Sequence, residues 1–142
     1  MRTLIVVRHA QAESAHLHTR DVDRPLTWQG ADDARSAAAQ LKQDYPEVAA
    51  IVASPARRTQ TTAEIIAQAY GLDSDAVELD PRLYDADVAT LEAVVAELYQ
   101  RDGVVVLVGH NPGVLELCYR RTNGRVTSMP TCAVVHIDVE CD

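Results

Sequence analysis

Short aliphatic runs alternating with helical stretches predict an α/β chain, arranged as a three-layer α/β/α sandwich around a mostly parallel central sheet. Three observations carry that prediction. Leu4-Ile5-Val6-Val7 and Val104 to Val108 are uninterrupted aliphatic runs rich in β-branched residues, the pattern of strands buried on both faces. Ala50-Ile51-Val52-Ala53 is a shorter run of the same kind. Between these runs lie segments whose apolar residues recur at helical spacing, bounded by capping residues, Gly or Pro.

Taken in order, the first run ends abruptly on Arg8-His9. Glu13 to Arg24 is polar and mixed in charge, and with Pro25-Leu26-Thr27 it reads as a loop. Thr27 is placed to cap a helix whose Ala31, Ala34, Ala38, Leu41 and Tyr45 share a face, closed by Pro46. The Ala50–Ala53 strand stops at Ser54-Pro55, and a helix runs from there to Gly71, its C-terminal stop. Pro81 to Asp87 reads as loop, and Leu91, Val94, Val95 and Leu98 form the apolar stripe of a third helix. Asp102-Gly103 makes a turn into Val104 to Val108, which leads to Gly109-His110-Asn111-Pro112-Gly113. Pro112 suits the first turn of a helix through about Arg121, ended near Asn123-Gly124. From Cys132 to Val139, Ala133, Val135, Ile137 and Val139 alternate with residues such as His136 and Asp138, as in an edge strand with one wet face.

No repeat, linker or low-complexity tract interrupts the 142 residues, so one domain spanning 1–142 with one core is expected. With 47% apolar residues and no Phe, that core must be built from Val, Ala, Leu and Ile. A formal charge of −8 argues against nucleic acid or an anionic membrane as partner, so any cationic cluster must be local. After Arg2 the apolar stretch is broken by Arg8, too soon for a signal peptide or a membrane span, and a cytoplasmic location is expected. Cys118, Cys132 and Cys141 are odd in number and lack C-x-x-C spacing, which fits reduced thiols, with Cys118 in the core and Cys141 exposed.

Three strand ends then carry polar residues of interest: Arg8-His9, Ser54 to Arg58, and His110. If the strands are parallel neighbours, all three open onto one crevice at their carboxyl ends, where α/β proteins bind ligands. Helical periodicity separates the two arginines of the second set. Arg58, Thr62, Ile65, Ile66 and Ala69 share one face, and Arg57, Thr61, Glu64 and Gln68 share another. The apolar face must pack on the sheet, which holds Arg58 at the sheet edge and leaves Arg57 as a solvated residue able to pair with Thr61 or Glu64. Arg58 also lies near a helix amino terminus, where free N–H groups and the dipole favour an anion. Two guanidinium groups and two imidazoles around one cavity suit a tetrahedral oxyanion. One unprotonated imidazole can attack phosphorus to give a phosphohistidine that water hydrolyses, while the other donates to the equatorial oxygens.

Arg8-His9-Ala10-Gln11-Ala12, Asp23-Arg24-Pro25-Leu26-Thr27 with Gly30, Ser54-Pro55-Ala56-Arg57-Arg58 with Thr62-Ala63, and Gly109-His110-Asn111-Pro112 together resemble the histidine phosphatase superfamily. The resemblance is specifically to its small branch of SixA-like phosphohistidine phosphatases, and it runs in order up to about Pro112. It implies a phosphoglycerate-mutase-like fold, His9 as the phosphorylated nucleophile, and Arg8, Arg58 and His110 as the rest of the phosphate pocket. Arg24 would be a further phosphate contact and Asn111 a substrate-binding candidate. The larger mutase-like members carry Arg-His-Gly and a mid-chain Glu as general acid. Here Ala10 replaces the glycine, and Asp85, in Arg82-Leu83-Tyr84-Asp85, is the nearest candidate acid. Asp85 reads equally as a loop aspartate next to Asp87, at the start of the third helix. Because an imidazole leaving group needs less help from an acid than an alkoxide does, a missing acid fits a phosphohistidine substrate.

His16 and His18 with Asp21 and Asp23 could be drawn as a metal site, but i, i+2 spacing in a polar loop without a second anchor favours a solvated loop. No metal and no cofactor are expected, and His136 reads as a partly exposed edge-strand residue. The leading expectation is a metal-independent phosphatase acting through His9 on a phosphohistidine-carrying signalling protein, and working as a monomer. The alternatives are a phosphomonoesterase for a small phosphate ester such as a sugar phosphate, and a non-catalytic phosphate-binding module. The short chain leaves little sequence for a cap, which favours an open site that a protein surface can enter.

Overall fold

The structure, a computed structural model, describes residues 3–16 and 18–139. The expectations for Arg2 and Cys141 fall outside the described residues. Five strands form one sheet in the order β3-β2-β4-β1-β5, with β1 (Thr3–Arg8), β2 (Ala50–Ala53), β3 (Val77–Leu79), β4 (Val104–Gly109) and β5 (Val134–Asp138). All neighbours are parallel except β5, which runs antiparallel to β1 at the edge. Four helices cover the sheet: α1 (Trp28–Asp44), α2 (Arg57–Ala69), α3 (Val88–Leu98) and α4 (Gly113–Arg121).

The strand period of two divides the core into two layers. Leu4 and Val6 of β1, Val52 of β2, and Val105 and Leu107 of β4 pack with Leu91, Val94, Val95 and Leu98 of α3 and Val114, Leu117 and Cys118 of α4. Ile5, Val7, Ile51, Ala53, Val106 and Val108 face the other way, onto Ala38 and Leu41 of α1 and Ala63, Ile66 and Ala67 of α2. Helices on both faces are what a central parallel sheet requires, and they account for continuous aliphatic runs in β1 and β4.

Thr27 caps α1 by accepting from the Gly30 N–H, and Asp87 caps α3 by accepting from the Thr90 N–H. Gly30 also meets the chain just beyond β1 so closely that a Cβ there would lie 2.1 Å from the Gln11 carbonyl oxygen. That approach anchors the start of α1 beside the end of β1. Cys118 is fully buried, and burial pushes its thiol up to about 12. His136 is exposed on β5, where its Nε2 lies 2.6 Å from Asp138 Oδ1.

Three details depart from expectation. β3 pairs with β2 through only three residues, and with Glu78 at its centre it shows no apolar run. β5 starts at Val134, because Cys132 adopts a φ of +65°, a left-handed turn that no strand accommodates. The buried face of α2 comprises Arg58, Thr59, Thr62, Ala63, Ile66 and Ala67, while Ile65 is only half-buried and Ala69 is exposed. Its inward stripe is therefore turned toward Thr59, Ala63 and Ala67.

Candidate active site

Strand register brings the three polar sets together. Arg8 pairs with Gly109 across β1 and β4, and Ala53 pairs with Val108 across β2 and β4, so Arg8-His9, Ser54 and His110 emerge at one end of three adjacent strands. His9 and His110, 101 positions apart, have ring centroids separated by 5.5 Å.

His9 is only 8% exposed. Its Nδ1 lies 2.7 Å from the Ala10 carbonyl oxygen, and since a carbonyl only accepts, the ring proton belongs on Nδ1. Nε2 then carries the free lone pair. Burial is the main cause that lowers His9 to about 4, opposed by the Ala10 carbonyl and reinforced by the positive charges of Arg58, Arg8 and Arg24. The backbone around it is equally fixed. The Ala10 N–H donates to Thr62 Oγ1 at 3.1 Å, and the Cys132 N–H donates to the His9 carbonyl at 3.0 Å.

His110 has its Nε2 2.8 Å from Ser54 Oγ, and its Nδ1 is buried with no partner among the described residues. Burial and the charges of Arg58 and Arg8, with the His9 ring, push it down to about 3. Both imidazoles are accordingly neutral at pH 7.

Three guanidinium groups act on the His9 ring. Arg8 donates through Nη1 to the Met129 carbonyl at 3.1 Å, while its Nε is buried without a partner. Arg58 is 6% exposed and Arg57 is exposed, as the face argument requires. Among the described residues Arg57 makes no side-chain hydrogen bond or ion pair with Thr61 or Glu64, so that expected pairing is not formed; the side chain is solvated. Arg24 reaches back from its loop, donating to the Glu13 carbonyl at 2.7 Å and to Asp21 Oδ1 at 2.9 Å. Asn111 donates to the Met129 carbonyl at 2.9 Å, and its Oδ1 is also buried and unpartnered. Buried polar atoms without partners are uncommon, and here Arg8, His110 and Asn111 contribute one each around the same recess.

Asp85 is placed differently. It is exposed at a φ of +53°, next to Tyr84, in the loop before Asp87. His16 and His18 are exposed as well, and Asp21 is drawn to the arginines instead of to them.

Four contributors lie outside the expected set. Ser54 pairs with His110, and Thr62 supports the backbone after His9. Tyr84 sets its ring edge-on to His110 at 5.6 Å and donates its hydroxyl to Asp21 Oδ2 at 2.6 Å. Asp21 accepts from Arg58 and Arg24. Thr62 was visible in outline through its four-residue spacing from Arg58; Tyr84 and Asp21, 63 positions apart in irregular segments, offer no periodic signal.

Local positive charge on an acidic α/β protein is here gathered around a neutral imidazole with a free lone pair, an arrangement suited to a tetrahedral oxyanion. The family described as "Histidine phosphatase superfamily (branch 1)" matches residues 4–113, and the chain belongs to that superfamily. In structure it is similar to a SixA protein from Agrobacterium tumefaciens, at 25% identity and a TM-score of 0.86, covering 96% of this chain and 91% of that one. It is similar also to the protein histidine phosphatase SixA complexed with tungstate, at 26% identity and a TM-score of 0.82, covering 94% and 86%. In sequence it is 37% identical over 94 residues to "Probable phosphoglycerate mutase GpmB" of Enterobacter sp. strain 638, over 65% of this chain. The match spans 41% of that relative's length.

Proposed function

We propose that this chain is a phosphatase working without a metal through a phosphohistidine on His9, and that its substrate is a phosphohistidine carried by a protein. The observation that carries the reading is the state of His9: Nδ1 engaged by the Ala10 carbonyl, Nε2 unprotonated, and three arginines acting on the ring. In the first step the Nε2 lone pair attacks phosphorus, forming the P–N bond while the bond to the leaving group breaks with its electron pair. Water then attacks the phosphohistidine, the P–N bond breaks, and inorganic phosphate departs, returning the lone pair to Nε2. Arg8, Arg58 and Arg24 offset charge on the equatorial oxygens. Ser54 Oγ accepts from the Ala56 N–H at 3.3 Å, so its own hydroxyl proton is free to go to His110 Nε2. The His110 ring proton then sits on Nδ1, which is buried and has no partner among the described residues.

The leaving-group side supports the substrate class. Asp21 is held well below the usual carboxylate range by the Tyr84 hydroxyl, Arg24 and Arg58, and Asp85 is exposed. With Asp21 committed to the arginines and Asp85 turned out on its loop, neither carboxyl is placed to serve an alkoxide, whereas an imidazole leaves with far less assistance. The likeness to a protein named as a SixA histidine phosphatase points the same way. A second reading, turnover of a small phosphate ester, rests on the likeness to a relative named as a phosphoglycerate mutase.

The test is incubation with a phosphorylated histidine protein and, separately, with a panel of sugar phosphates, followed by a search for acid-labile phosphate on His9. Preference for the phosphoprotein with label on His9 is expected. Undiminished turnover by His9→Ala would remove the mechanism, strong preference for one sugar phosphate would replace the substrate class, and tight tungstate binding with no turnover at all would make the chain a binding module.

A further inference from the structure

Among the described residues a carboxylate, that of Asp21, stands against Arg24 and Arg58, and an anion-binding site has no obvious use for it. Asp21 lies in a single 3-10 turn, Asp21–Asp23, ahead of Arg24. Its two ends of charge and dipole are both spent on arginines: the main-chain carbonyl accepts from Arg58 Nη1 at 2.8 Å, Oδ2 accepts from Arg58 Nη2 at 3.0 Å, and Oδ1 accepts from Arg24 Nη1 at 2.9 Å. Oδ2 also accepts from the Tyr84 hydroxyl at 2.6 Å, and the Tyr84 ring stands edge-on to His110, 86° from coplanar. Arg24 from the same loop, Arg58 from α2 and Tyr84 from the loop before α3 thus converge on one side chain, which is itself 47% exposed.

We propose that Asp21 is a positioning residue of the phosphoryl pocket: it grips the Arg58 fork from one side, draws Arg24 to the same point, and links both through Tyr84 to His110. A guanidinium has five N–H donors, and Asp21 takes only one from Nη1 and one from Nη2 of Arg58. The remaining donors, Nε–H among them, stay available to phosphoryl oxygens, in an orientation that a flexible side chain would otherwise have to adopt on binding. The inference rests on the phosphatase reading for its meaning in turnover, but oxyanion binding tests it without any turnover.

The decisive property is a sign. Replacing Asp21 by Asn removes a negative charge beside an anion site, and Coulomb attraction alone would then tighten binding of inorganic phosphate or tungstate. Loss of positioning does the reverse, because Asn offers one acceptor where the carboxylate offered several and introduces an N–H pair against two guanidinium groups. Titration calorimetry with tungstate on Asp21→Asn is expected to show affinity lowered by about tenfold. In turnover, KM is expected to rise and kcat to fall together. In an Arg58→Lys background the Asp21→Asn effect is expected to shrink below about twofold, because the fork it orients is gone. Since Asp21 is half-exposed in a short turn, Asp21→Asn should keep its parent's melting temperature within a few degrees, and the comparison within the Arg58→Lys background carries the test if it does not. Tighter tungstate binding by Asp21→Asn, or undiminished effects in the Arg58→Lys background, would overturn the proposal. Lost turnover in the wild type with the tungstate pattern intact would instead count against the phosphatase reading and leave the positioning role standing.

Discussion

Keeping two imidazoles neutral inside an active site has a consequence for stability that can be worked out from the structure. His9 is lowered to about 4 and His110 to about 3, chiefly by burial, whereas in the unfolded chain both titrate near 6.5. Between those limits the unfolded state binds more protons than the folded one, so stability rises with pH across the window and falls as the solution is acidified from 7. Taking the pH from 7 to 5 nearly saturates both histidines in the unfolded chain and barely protonates them in the folded one, which costs about 2 kcal/mol for each, or about 3–4 kcal/mol together as an upper figure. Partial access of water to the recess lowers that toward about 2 kcal/mol. The shifted carboxylates, Asp21, Glu78, Asp80 and Asp87, are all lowered, so their contribution is lost only below that window, and Cys118 and Cys132 are raised and stay neutral.

Urea unfolding at pH 7 and pH 5, fitted with a common slope, reads the difference directly. The wild type is expected to lose about 2–4 kcal/mol between the two conditions, His9→Gln and His110→Gln about half as much each, and the double variant almost nothing. A double variant that loses as much stability as the wild type would show that neither imidazole is held neutral, and the account of a free lone pair on His9 would go with it.

Other consequences follow from the same geometry. Arg58→Ala should reduce kcat/KM by at least about a hundredfold, and Arg57→Ala, on the solvated face, should stay within about twofold; equal losses in steady-state kinetics would mean that the α2 faces are misassigned. Ser54→Ala removes the partner of His110 Nε2 at 2.8 Å and is expected to lower kcat about tenfold with little change in KM, which single-turnover measurements would separate from binding. Gly30→Ala would drive a Cβ to 2.1 Å from the Gln11 carbonyl oxygen, so a loss of about 2–4 kcal/mol in urea unfolding is expected; a loss below about 0.5 kcal/mol would mean that the contact relaxes freely.

The parts of this site that could be read from the amino-acid order are those fixed by periodic elements. Arg8, His9 and His110 stand where aliphatic runs stop, and strand polarity alone puts such residues at one edge of a parallel sheet. Arg58 was separable from Arg57 because a helix repeats every 3.6 residues and only one of the two can face inward. Where the periodic argument erred, at Ile65 and Ala69, it centred the inward stripe to one side and left out Thr59, Ala63 and Ala67, which are buried. β3 escaped notice for a related reason: three residues with a central Glu become a strand only because β2 offers an edge to pair with.

The Asp21 hub was illegible for a deeper reason, and one that bears on how the site works. Its contacts join a 3-10 turn, the first turn of α2 and the loop before α3, so no local pattern encodes them. In sequence, Asp21 three residues before Arg24 looks like an ordinary surface pair, the kind that contributes little in water. What changes its weight is Arg58, whose burial forces the guanidinium to find acceptors within the protein before any phosphoryl group arrives. A buried arginine needs acceptors within the protein, and Asp21 supplies them while taking only part of the fork's donors. By that argument α2 sets where Arg58 stands, and Asp21 sets the direction of its fork.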